Sequence, residues 1–264
     1  IYRLNNLLKN WVDSNNSRFN RILIRFTHEL GIKKLKFAQE FRIMPEIKII
    51  ENTSELGAGT RGASLGIGAL KVVARQKGEM LFGNYERFIV DDQNDLLDHP
   101  TPYAQAKRID GLAEVFQKTA DIVDFVFKNG DFPLVLSGDH ACAAGTISGI
   151  KKAYPNKRLG VIWIDAHADL HTPYTTPSGN IHGMPLAVVL GEDNMDSAIN
   201  TPSDDVQKMW DELKGIGASA PKIMSEDLVF ISVRDTEAPE DEFIARKGIK
   251  NYTVAEVREK GKEV

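Results

Sequence analysis

The chain has 264 residues, 42% hydrophobic and 27% charged, the balance of an ordinary globular protein with room for one large core. A single cysteine excludes an internal disulfide and fits a reducing compartment, which points to the cytoplasm. No apolar run approaches the ~18–20 residues of a membrane span, and a net charge of −4 gives no basis for nucleic-acid binding.

The charge is uneven. Residues 1–43 carry nine Lys/Arg against three acids, a local excess of six positive charges, so the remainder carries −10. Within this basic stretch, Phe19, Ile22, Leu23 and Phe26 fall on one face of a candidate amphipathic helix over 19–30. Three readings stand for it: sequence upstream of a natural start at Met44, an Arg-rich organelle-targeting segment, or an accessory helix pair.

Glu46–Ile50 reads as the first strand. Gly57-Ala-Gly59-Thr-Arg-Gly62 then matches a Gly-x-Gly-x-x-Gly pattern. The polar Glu51-Asn-Thr-Ser-Glu55 separates it from the strand, and no second strand ends in an acid at the distance a dinucleotide fold requires. A helix over Ser64–Arg75 follows, then a loop over 78–102 rich in acids but without EF-hand spacing. Residues 103–129 give the clearest helix: Leu112, Val115, Phe116, Ile122, Val123, Val126 and Phe127 recur at helical spacing, and Asn129-Gly130 stops it.

Strand 132–137 ends in Gly138-Asp139-His140, and a small-residue helix runs from Ala141 to about Tyr154. Leu159–Ile164 reads as a buried strand that stops at Asp165; His167, Asp169 and His171 follow at every second position. Carboxylates and imidazoles this dense call for a cation among them. In a straight strand Asp165 and Asp169 would lie about 13 Å apart, so the backbone must bend after Asp165 if they share an ion. Oxygen and imidazole donors without thiolate favour Mn, Fe, Co or Zn over a structural zinc. A lone Asp-x-His would be read as a polar loop; Asp-x-His-x-Asp at a strand end, with His140 at the end of another, reads as metal. Asp139 suits an outer role, orienting a ligand. Cys142 reads as a small buried residue.

Downstream, Met184–Leu190 reads as a helix, 191–202 as a loop, Asp204–Leu213 as a helix and 215–221 as a linker. Asp227–Val233 reads as a buried strand ending at Arg234-Asp235, a polar run that reads as part of a site and not as a surface salt bridge because it again follows a buried strand; Pro239–Lys247 and Thr253–Lys260 read as helices, with a short strand within 248–252. Alternating strands and helices imply an α/β fold, a three-layer sandwich with a mainly parallel sheet and helices on both faces.

Four ordered stretches, Ser137-Gly-Asp-His140, Asp165-Ala-His-Ala-Asp169, Thr175-Thr-Pro-Ser-Gly-Asn-Ile-His-Gly183 and Arg234-Asp-Thr-Glu237, resemble the ureohydrolase (arginase/agmatinase) family and most of all bacterial arginases. The resemblance covers roughly residues 45–255 and implies a centre of two Mn²⁺, with Co²⁺ in some members, that hydrolyses L-arginine to L-ornithine and urea. It implies His140, Asp165, His167 and Asp169 as metal ligands, Asp165 bridging, with Asp169 also taking or relaying a proton. It implies His182 as a proton shuttle, Thr176, Ser178 and Asn180 at the substrate carboxylate, and Glu237 and Glu240 near its amino group. It places the glycine loop at the mouth of the site, and it implies a homo-oligomer.

His171 stands where many arginases carry Asn, Glu237 where they carry Asp, and Ser137 and Ala141 replace the commoner Gly and Ser; His171 is counted with the substrate-binding set. The family's later Asp-x-Asp occurs nowhere in this sequence, so the expectation is a catalytic domain over 44–264 that lacks its C-terminal part and is poorly active alone. Family-like sequence begins just after Met44, which favours the upstream reading of 1–43. The rival functions are hydrolysis of agmatine or another guanidino compound, deacetylation on an arginase-like fold, and a catalytically incomplete metal-binding subunit.

Overall fold

The computed structural model describes residues 44–264, and the expected extension over 1–43 with its amphipathic helix lies outside the described residues. Strand β1 (Ile47–Asn52) is flanked in parallel by β2 (Arg87–Val90) and β3 (Phe132–Ser137), with Ile50 opposite Phe88 on one side and Val135 on the other. A second parallel sheet runs β4 (Val161–Ile164), β5 (Leu228–Ile231), β6 (Lys250–Tyr252). Its register sets Trp163 opposite Phe230. Among the described residues β3 and β4 are not hydrogen-bonded to each other, so each keeps a free edge.

Helices link the strands: α1 (Leu65–Gln76), α2 (Leu81–Asn84), α3 (Ile109–Lys128), α4 (Cys142–Ala153), α5 (Pro185–Leu190), α6 (Asp204–Gly215), α7 (Ala238–Lys247) and α8 (Val254–Lys260). The strands run parallel with helices on both sides, as expected. None of the helices is long and apolar enough to cross a membrane.

The apolar stripe of α3 does what its spacing predicts: Ile109, Leu112, Val115, Phe116, Ala120, Val123 and Val126 are buried. It packs against α4, and Gly149 leaves no room for a side chain between them. A Cβ there would lie 2.6 Å from both the Ala120 carbonyl oxygen and Val123 Cβ, closer than packed atoms approach. The small residues read from the sequence after His140 are therefore a packing requirement.

Three expectations need correction. Residues 78–102 are not all loop: they hold α2, β2 and a 3-10 turn over Asn94–Asp98. Strand β2 has only four residues and lies at a sheet edge, so it leaves almost no periodic signal. Strand β1 runs on through Glu51 and Asn52, which looked like a polar break. Both are buried with partners: Glu51 pairs with Lys71 and Arg87, and Asn52 donates to Thr119 Oγ1. Strand β4 is buried on one face only. Trp163 is 5% exposed, whereas Ile162 and Ile164 are 70% and 74% exposed beside the free edge.

Candidate metal centre

The carboxyl ends of β3 and β4 meet, and the chemistry gathers there. The Asp165 N–H still donates to the Ile231 carbonyl, holding the residue on the sheet. Its Oδ1 then accepts the His167 N–H at 3.0 Å, which turns the chain out of the strand. Asp169 completes the bend with φ +52, a left-handed conformation that Asp adopts more readily than bulkier residues. The bend required by the sequence argument is thus present. Backbone bonds secure it: Arg234 and Asp235 N–H donate to the Ala166 carbonyl, and Leu186 N–H donates to the Asp169 carbonyl.

The result is a cluster of His140, Asp165 and Asp169 with donor atoms all within 4.8 Å of one another. His140 Nδ1 lies 2.7 Å from Asp165 Oδ2 and 2.8 Å from Asp169 Oδ2. Burial lowers the His140 pKa, but the Asp169 and Asp165 carboxylates outweigh it and hold the imidazole above its usual value. Among the described residues, the buried Asp169 Oδ2 nevertheless has no contact of hydrogen-bond geometry. Such an orphan is costly in a native interior. It converges with Asp165 Oδ2 and His140 Nδ1, and these two carboxylate oxygens and one imidazole nitrogen form a donor set suited to a divalent cation.

The structure does not bring His167 into this cluster. Its side chain is 60% exposed, with Nδ1 3.6 Å from Asp165 Oδ1 and Nε2 3.5 Å from Asp235 Oδ2. Asp165 thus turns one oxygen to His140 and the other toward His167.

Asp139 does not orient a metal-binding imidazole as expected. Its Oδ1 accepts the Ala141 N–H at the start of α4, and its Oδ2 accepts the Ala58 N–H. Burial outweighs these bonds and holds its carboxyl above the usual range. The glycine loop clamped in this way meets His182 on its other side. The Gly57 carbonyl accepts the His182 N–H at 3.1 Å and lies 3.0 Å from His182 Nδ1. A carbonyl cannot donate, so Nδ1 carries the proton, and a neutral His182 presents Nε2 as acceptor.

His171 is tied on both sides, Nδ1 to Thr175 Oγ1 at 3.2 Å and Nε2 to Glu237 Oε2 at 3.0 Å. Glu240 is buried. Its Oε1 accepts the Leu170 N–H, and its Oε2 accepts the Glu237 N–H as the N3 partner of a capping box on α7. It joins that helix to the ligand-bearing loop. Glu240→Ala should therefore lower stability by about 1–3 kcal/mol, read by chemical denaturation. A loss below a few tenths of a kcal/mol would mean that the tie is unimportant.

Thr176 is buried, and its Oγ1 accepts the Gly179 N–H at 2.9 Å; Ser178 Oγ accepts the Asn180 N–H at 3.1 Å. Ser178 is exposed and Asn180 half-buried. Burial holds the Cys142 thiol neutral, well above its usual pKa, so it is no nucleophile. Asp235, in the polar run read for a site role, lies beside His167. One participant escaped the sequence reading: Trp163 stacks on the His140 ring at 4.2 Å and 12°. The signal for Trp163 was its position in β4, two residues before Asp165.

Residues 47–264 match the arginase family. The chain belongs to this family. It is 39% identical over 226 residues to the arginase of Bacillus caldovelox, covering 81% of this chain and 66% of that protein. It is 37% identical over 222 residues to the arginase of Brevibacillus brevis, with the same coverage. Among solved structures, native Bacillus caldovelox arginase superposes with a TM-score of 0.65 at 38% identity, over 83% of this chain and 68% of that one. Bacillus subtilis arginase gives 0.64 at 34% identity, over 83% and 67%. The chain thus spans about two thirds of the length of the curated relatives it matches.

Proposed function

We propose that the protein is an arginase: it hydrolyses L-arginine to L-ornithine and urea at a centre of two divalent ions, Mn²⁺ with Co²⁺ as the alternative. The observation that carries this reading is the convergence of His140, Asp165 and Asp169 at two strand ends, in a family whose similar members are named arginases. The same reading makes 44–264 the catalytic domain, and the whole protein a homo-oligomer of the cytoplasm.

When bound, the ions supply Lewis acidity that prepares an oxygen nucleophile near neutral pH. His140, Asp165 and Asp169 would hold one ion. His167 would turn inward to join Asp165 at the second, since Asp165 already faces both imidazoles with separate oxygens. Water adds to the guanidinium carbon; the carbon–nitrogen bond to the side chain breaks, and the amine leaves with a proton. Asp169 accepts the first proton released by the water and passes it to the departing nitrogen. His182, with Nδ1 fixed by Gly57, takes the second at Nε2 as the urea carbonyl forms and delivers it to the amine, which leaves as the ammonium. Thr176 shapes the loop on which Ser178 and Asn180 bind the substrate carboxylate, and Glu237, steered by His171, attracts the α-amino group.

Urea release after Mn²⁺ loading, with L-arginine and agmatine side by side, tests this. Arginine turnover without agmatine turnover is expected. Ser178→Ala and Asn180→Ala should each raise KM for arginine about tenfold, the effect of one lost hydrogen bond to a charged group. Preference for agmatine would instead identify a ureohydrolase for decarboxylated substrates.

A further inference from the structure

We propose that Trp163 is a positioning residue for the metal centre, its indole face fixing the His140 ring in the orientation that turns Nδ1 toward Asp165 and Asp169. The inference rests on the metal-binding reading above. A metal-binding histidine is normally oriented by a hydrogen bond from its second ring nitrogen. His140 lacks that device. Nδ1 faces the two carboxylates, and Nε2 makes no hydrogen bond to any described residue. The ring is also 41% exposed, so burial alone does not lock its χ2.

What remains is the stack. The His140 and Trp163 ring centroids are 4.2 Å apart with the planes 12° from parallel. Rotating the imidazole about χ2 would break this face-to-face contact and swing Nδ1 away from the carboxylates. The indole is a fixed platform. Trp163 is buried in the main core cluster with Phe230, its register partner on β5. Its buried Nε1 has no hydrogen-bond partner among the described residues, so the indole is held for its ring face and not for its N–H. A face can be supplied by another aromatic ring. An aliphatic side chain cannot supply it.

The experiment compares Mn²⁺ and Co²⁺ binding by the wild type, Trp163→Phe, Trp163→Leu and Phe230→Leu. Affinity is read by calorimetry and folding by circular dichroism. Trp163→Phe should bind within about threefold of the wild type. Trp163→Leu should bind about 10–100-fold more weakly, the usual cost of losing an outer partner of a metal-binding histidine. Phe230→Leu damages the same core without touching His140, and should lower the melting temperature while leaving metal affinity unchanged.

A second readout needs no destabilising variant. Co²⁺ should quench part of the wild-type tryptophan fluorescence, and Trp163→Phe should remove most of the quenched component. Equal affinity in Trp163→Leu and Trp163→Phe would overturn the proposal, as would quenching that persists in Trp163→Phe. Absence of saturable metal binding by the wild type would instead defeat the metal reading, and the inference with it.

Discussion

Asp169→Asn is expected to weaken Mn²⁺ binding by more than about 100-fold, beyond the range seen on losing outer partners of a metal ligand, and to abolish urea release. It should do so without lowering the stability of the metal-free protein. Asn tolerates the left-handed backbone at φ +52 as well as Asp does, so the bend after Asp165 survives. The buried charge does not. Even with His140 protonated and its Nδ1 2.8 Å from Asp169 Oδ2, the cluster of two carboxylates and one imidazole carries one excess negative charge. An uncompensated buried charge is unfavourable. The asparagine variant should therefore melt at or above the wild-type temperature in chelator, and lose the rise in melting temperature that Mn²⁺ gives the wild type. Wild-type Mn²⁺ affinity in the variant would remove Asp169 from the centre. A variant that melts far below the wild type would make Asp169 a structural residue first.

The residues that meet at the centre were legible because their chemistry is written in one-letter patterns at strand ends. His140 closes one apolar run, and Asp165 to Asp169 closes another. Long-range pairing decides the rest. The metal reading asks for neighbouring strand ends and a bend after Asp165, but it does not say that Asp169 meets His140 while His167 turns toward Asp235. Trp163 looked like one more apolar strand residue until the stack placed its face on a ligand. Glu51 and Asn52 looked like a polar break because their partners, Lys71, Arg87 and Thr119, lie on other elements. Alternation along β4 reports which side chains share a face. It does not report which face finds cover, and Ile162 and Ile164 remain exposed. The helix α3, by contrast, carries its own evidence across twenty residues, and its buried stripe follows the periodicity closely.

The glycine loop shows how a pattern with one familiar meaning can serve another, and Gly57→Ala tests the second meaning. A Cβ at residue 57 would sit 2.5 Å from Ala141 Cβ and 2.8 Å from Asp139 Oδ1. Ala141 begins α4 and is fully buried, so it cannot give way. The loop must move instead, and with it the Gly57 carbonyl that accepts from the His182 backbone and fixes its Nδ1. Overpacking of this kind costs about 1–3 kcal/mol. The larger effect should fall on turnover. If the carbonyl sets the proton-bearing nitrogen of His182, its displacement removes much of the roughly 10²–10⁴-fold that a positioned acid–base group contributes. We expect kcat to drop about 100-fold with KM for arginine little changed. Adding Ala141→Gly, which clears the tighter of the two contacts, should recover part of both losses. The route is checked by a double-mutant cycle: in a His182→Ala background Gly57→Ala should cost stability but little further turnover. A drop of the same size in that background would mean that the loop acts on catalysis by some path other than His182, and unchanged stability in the single variant would mean that the clamp between Asp139 and His182 yields freely.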